Sequence, residues 1–225
     1  MKKLLSFAAA AVAVFSLSGC AALLNSISTT PSFSVFGDGS SDGIYDGQTF
    51  RITKTGTCTY AWASSDPKQL ILTQEGTSAY VTGKLTNPDA TYYGKITATN
   101  ANDATVAPVE KEVPVYAWVL KIYDAAGNEV KSPNALAKNN TYVIKMARKT
   151  GTSSFTPVTK LLKGMRISST EETESLAFSG LASSWKTVST TPVTMTITTP
   201  NSFSACVVSA KLGNVSHSIS LRTSK

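Results

Sequence analysis

Alternation constrains this chain more than any other feature. In "QTFRIT", residues 48–53, Phe50 and Ile52 fall on one side, with Arg51 and Thr53 on the other. "TYAWA" pairs Tyr60 with Trp62, and "YYGKITAT" pairs Ile96 with Ala98. Further on, "NTYVIKM" sets Tyr142, Ile144 and Met146 together, and "YAWVLKIY" sets Tyr116, Trp118, Leu120 and Ile122 on one face. "PVTMTIT", "SACVVSAKL" and "VSHSISL" close the chain in the same style. Successive side chains of a strand point to opposite faces, so short period-two runs divided by Gly, Pro, Asn and Asp read as half-buried antiparallel strands. Beyond the N-terminus no window offers a long helix. The expectation is an all-β molecule.

The N-terminus follows different rules. Lys2 and Lys3 precede an apolar run over residues 4–17 that ends in "LSGC", residues 17–20. A basic head, a short apolar stretch and small exit residues describe a secretory signal. The run is short for a membrane span, which takes about 20 apolar residues. "LSGC" resembles a bacterial lipobox at all four positions. The resemblance implies cleavage before Cys20, acylation of that residue (palmitate among the chains) and a membrane-anchored mature protein. With Ala21 rather than Asp after the cysteine, it implies the outer membrane in a Gram-negative host. Several acyl chains on one residue hold far better than one. The divisions are a signal peptide at 1–19, a lipidated tether at 20–31, and two sandwich domains at 32–113 and 114–225.

Losing residues 1–19 lowers the net charge from +7 to +5, and charged residues make up only 16% of the chain. Globular averages lie near 25%. No basic run exceeds two residues, and aromatics do not interleave with the lysines, so this is no nucleic-acid footprint. A mildly basic body favours anionic envelope surfaces. Cys58 and Cys206 remain after lipidation, one in each half, and read as two separate buried thiols rather than a bridge.

Residues 46–99 carry a second resemblance. Gly47-Gln48-Thr49 opens a strand; Trp62 is followed by Ser-Ser-Asp-Pro at 64–67; Val-Thr-Gly falls at 81–83 and Ile-Thr-Ala-Thr at 96–99. Together they resemble a bacterial immunoglobulin-like domain of the adhesin group, over about residues 32–110. One departure is the longer "LTNPDATYY" before the last of these strands. The resemblance implies a β-sandwich with Trp62 as core aromatic. The echo of "QTFRIT" in "NTYVIKM" extends the expectation to two tandem immunoglobulin-like sandwiches.

Candidate sites are few. Ser65 and Lys68 have the Ser-x-x-Lys spacing of penicillin-binding enzymes, with Lys-Thr-Gly at 54–56 and again at 149–151. That chemistry needs a helix to return the lysine beside the serine, and Pro67 in a β pattern supplies none. The stretch reads as a turn. In "GDGSSDGIYDG", Asp38, Ser40, Asp42 and Asp46 take calcium-loop positions 1, 3, 5 and 9, but position 12 is Thr49 rather than Glu. A tight turn is the first reading and calcium the second, with no other cofactor expected. His217, the single histidine, alternates with Val215 and Ile219 and reads as a core or rim residue. Glu171, Glu172 and Glu174 read as a solvated loop. Tyr92, Tyr93 and Trp185 are candidates for an aromatic sugar-binding platform.

The expected protein is thus non-catalytic. It is a lipid-anchored envelope protein for adhesion or recognition, attached to the membrane by its lipid and binding a protein or glycan but no nucleic acid. The alternative is a periplasm-facing structural or accessory subunit of an envelope assembly.

Overall fold

The computed structural model describes residues 30–35, 43–55, 58–75, 78–159, 161 and 175–225. Among them there is no helix, and the fold is all-β. The first strands are β1 (Phe33–Ser34), β2 (Ile44–Tyr45), β3 (Thr49–Lys54), β4 (Tyr60–Ser64), β5 (Leu70–Glu75), β6 (Ser78–Gly83), β7 (Tyr92–Asn100) and β8 (Val109–Tyr116). They form two sheets, ordered β1-β3-β6-β5 and β2-β8-β7-β4. Every pairing is antiparallel except that of β2 with β8. Leaving aside the two-residue β2, the first, second, fifth and fourth strands lie on one sheet, faced by the third, sixth and seventh on the other, which is the immunoglobulin strand order. Phe50, Ile52, Leu70 and Val81 from one sheet meet Tyr60, Ile96, Val113 and Val115 from the other in a buried core.

The remaining strands are β9 (Trp118–Tyr123), β10 (Thr141–Lys149), β11 (Phe155–Pro157), β12 (Ala177–Ser179), β13 (Lys186–Thr190), β14 (Thr194–Thr198), β15 (Ala205–Leu212) and β16 (Val215–Arg222). β10 is the hub of one sheet: β9 lies on one side, and β14 followed by β13 on the other, with β11 beside its C-terminal end. The facing sheet is β12-β15-β16. A parallel bridge of Leu136 to Thr223 extends it. The immunoglobulin order therefore recurs, around a second core built on Trp118, Ile144, Met146, Ile197, Val208 and Leu221.

Alternation places these side chains as their sequence pattern predicts. In β10, Tyr142, Ile144 and Met146 are buried while Val143 and Lys145 sit on the outer face. Two expectations need correction. Residues 116–123 read as one strand with a single apolar face, yet the chain changes sandwich at Ala117. Tyr116 ends β8, paired with Tyr45, whereas Trp118 begins β9 in the second core. Trp62 packs edge-on against Phe33, centroids 5.1 Å apart, at the margin of the first core rather than inside it. Residues 124–129 form the tight turn that their Asp, Gly and Asn suggest. Asp124 Oδ1 accepts from the Asn128 amide at 2.8 Å, and Gly127 takes φ 87°.

Candidate functional site

Among the described residues, several sequence candidates make contacts within the fold itself. The Ser65 hydroxyl accepts from the Lys95 amide at 2.8 Å and lies 3.3 Å from the Tyr92 hydroxyl. Asp66 organises the turn that follows: its carboxylate accepts from the Lys68 amide and from Gln69 Nε2, and its carbonyl from the Leu70 amide. These bonds hold Asp66 below its ordinary carboxylate range, the Gln69 bond first. Tyr92 is half-buried against the first core, Tyr93 is 63% exposed, and Trp185 is buried in the second core with its indole N–H on Ser204 Oγ. The three do not form a shared platform, because alternation turns Tyr92 and Tyr93 to opposite faces and Trp185 fills an interior position.

Of the calcium candidates, Asp38, Ser40 and Asp42 lie outside the described residues, as do Cys20 and Glu171, Glu172 and Glu174. Asp46 is buried, and its Oδ1 accepts from the Leu85 amide at 2.9 Å. No group of three or more His, Cys, Asp or Glu placed for a metal occurs among the described residues. Cys58 and Cys206 are both free and half-buried, each packed against its own core. Burial pushes the Cys206 thiol up.

The most developed constellation is one that the sequence did not advertise, at the contact between the two sandwiches. The Asp46-Gly47 turn after β2 meets the hairpin turn between β15 and β16. Gly47 has φ 90° and Gly213 φ 56°, a region that suits glycine. A Cβ on Gly213 would fall 2.1 Å from the Gly47 carbonyl oxygen, and one on Gly47 would fall 2.2 Å from that of Leu212. The two turns thus touch backbone to backbone. The Asp46 carbonyl accepts from Trp118 Nε1 at 2.9 Å, and the Asp46 amide donates to the Tyr116 carbonyl at 3.0 Å.

Around this bond the packing is aromatic and charged. His217 lies against the Trp118 ring, centroids 4.3 Å apart. The Arg148 guanidinium sits 3.4 Å over the Tyr116 ring, which in turn faces Tyr45 at 5.9 Å. Lys149 of β10 pairs with Asp89 of the first sandwich, and its amide donates to the Ala117 carbonyl. Burial raises the Asp46 carboxyl, an effect that the Leu85 amide, His217 and Lys84 partly offset. Burial lowers His217, against the pull of Asp46. Asp46, Trp118 and His217 come from three separated parts of the chain, so no local spacing could have joined them. Gly47 and Gly213 read as ordinary turn residues in the sequence, and only the fold sets one beside the other.

No family model matches the chain, and no curated protein matches it. Among solved structures it is similar to domains 5–6 of the S-layer protein SbsC, at 13% identity and TM-score 0.27 over 87% of this chain and 99% of that one. Domains 4 and 5 of the same protein give 11% identity and TM-score 0.31 over 88% and 100%. The extracellular domains 3–5 of Drosophila OTK give 11% identity and TM-score 0.25, over 82% of this chain and 58% of that one. At this level of likeness the fold rests on the strand order described above.

Proposed function

We propose that this chain is a lipid-anchored envelope protein of adhesin type, whose two sandwiches act as one stiff binding body without catalysis. The joint carries this reading. A single residue, Ala117, separates β8 from β9, and the sandwiches share the Asp46 to Trp118 hydrogen bond, the Gly47/Gly213 contact and the Lys149 ion pair with Asp89. A body coupled in this way holds the loops and sheet faces of the two sandwiches at a fixed attitude to one another, which suits recognition on a rigid scaffold. "LSGC" supports the anchor at Cys20.

The same stiffness favours a second reading, a spacer or accessory subunit of an envelope assembly facing the periplasm. Protease shaving of intact cells, with blotting for the mature protein, separates the two. Digestion without lysis supports recognition at the surface. Protection until the outer membrane is opened overturns that reading in favour of the periplasmic one.

A further inference from the structure

Charge is divided unequally between the two halves. Residues 20–113 hold 6 Lys and Arg against 9 Asp and Glu, a balance of −3, whereas residues 114–225 hold 13 against 5, a balance of +8. The mildly basic total conceals an acidic body joined to a strongly basic one.

The second sandwich gathers part of this charge on a single face. On the outer side of the β9-β10-β14-β13 sheet, register places Lys121 directly opposite Lys145, and Lys186 beside Thr198, which is itself opposite Thr141. Thr196 lies between these rows, opposite Val143. Like charges directly opposed across strands are destabilising, and Glu129, paired with Lys121, offsets only one of the two. Both lysines are held in place: Lys121 Nζ lies 3.9 Å over the Phe155 ring and pairs with Glu129, and Lys145 Nζ lies 4.8 Å over the ring of Tyr123. Glu129 is shared with Lys131, and among the described residues no carboxylate pairs with Lys145 or Lys186.

We infer that this face binds a linear polyanion, a polymer bearing phosphates at regular intervals. Lys145 and Lys186 are two strands and four residues apart, a diagonal of about 16 Å at ordinary strand spacings. One phosphate cannot bridge that distance; an extended chain can, with Thr141, Thr196 and Thr198 supplying hydroxyls along the way. A second copy of this protein is a poorer occupant. On the first sandwich, Asp46 is buried, Asp66 is committed to its turn, and Asp89 and Glu110 are ion-paired. Among the described residues this leaves Glu75 and Glu112, on two different sheets, as its exposed carboxylates outside any ion pair or turn, too few and too scattered to match the lysine row. This inference rests on the binding reading above and names its ligand class. Shaving reports where the body lies whatever it binds, so the two fail separately.

The test uses the full chain in neutral detergent with inorganic polyphosphate as probe. Binding should weaken steeply with salt and should fall by roughly tenfold or more when Lys145 and Lys186 are both changed to Glu. Lys145→Gln with Lys186→Gln should give a smaller loss in the same direction. Lys211→Glu with Lys225→Glu makes the same charge change away from this sheet and should cost less than about twofold. Equal losses from the two Glu pairs, with unchanged melting, would reduce the effect to bulk charge and overturn the proposal. Equal competition by orthophosphate per phosphate group, or tighter binding to anionic phospholipid vesicles than to polyphosphate, overturns it as well.

Discussion

Gly213 offers a direct test of the joint at the scale of one residue. Gly213→Ala places a methyl where the Gly47 carbonyl stands and strains a left-handed backbone, so it should destabilise by about 1–3 kcal/mol. Thermal melting measures the loss. The same change at Gly127, which also has positive φ but an open surrounding, should cost only about 1 kcal/mol. His217 adds a dependence on pH. Burial holds it below its ordinary 6.5, so the unfolded chain binds more protons as pH falls through that value. Its contribution is therefore whole above pH 6.5 and is lost below it. Asp46 acts in the opposite sense and lower down: raised from 3.8, it binds its proton more readily when folded, which favours the native state only as pH falls toward that carboxyl's range. His217→Phe should flatten the loss of melting temperature between pH 7.5 and 5.5. An unchanged slope would mean that the histidine is not the group responsible.

At the scale of the element, the run of residues 116–123 shows how far local pattern reaches. Alternation foresaw an extended apolar stretch, and it is extended, but nothing in period two says which core receives which residue. The switch at Ala117 follows from Tyr116 pairing with β2 while Arg148 pairs with Trp118. Inserting two glycines after Ala117 should leave both cores intact and loosen their coupling. The expected readout is a larger, broader particle in small-angle scattering with each core retained. A scattering profile identical to the parent would show that the joint holds without the short connection. Strands β3, β10 and β14 were legible because six or more alternating letters outweigh local noise. β11 and β12 span three residues each, too few for a period to register. The edge strand β13 carries a bulge between Thr187 and Ser189 and an exposed Lys186, which discourages pairing with another chain.

For the whole molecule, anchoring and thiol state give the clearest readouts. Cys20→Ala should abolish labelling by palmitate and leave residues 1–19 attached, so the protein runs as the longer precursor. Unchanged labelling and normal processing would reject the lipobox reading. Cys58 and Cys206 pack in different cores and are free, so reducing agent should leave the melting temperature unchanged. A downward shift would reveal a bridge.

Fold class was settled by the sequence itself, because the period of a strand is a property of consecutive residues and each of these runs has one wet face and one dry face. The turn at residues 64–67 was equally readable, since Asp66 bonds to amides within four residues of it. Only tertiary structure decided the rest. Asp46, Gly47, Trp118, Gly213 and His217 gain their roles from contacts between distant segments. Lys121, Lys145 and Lys186 become one surface because strand order, which no local rule contains, sets them on the same face.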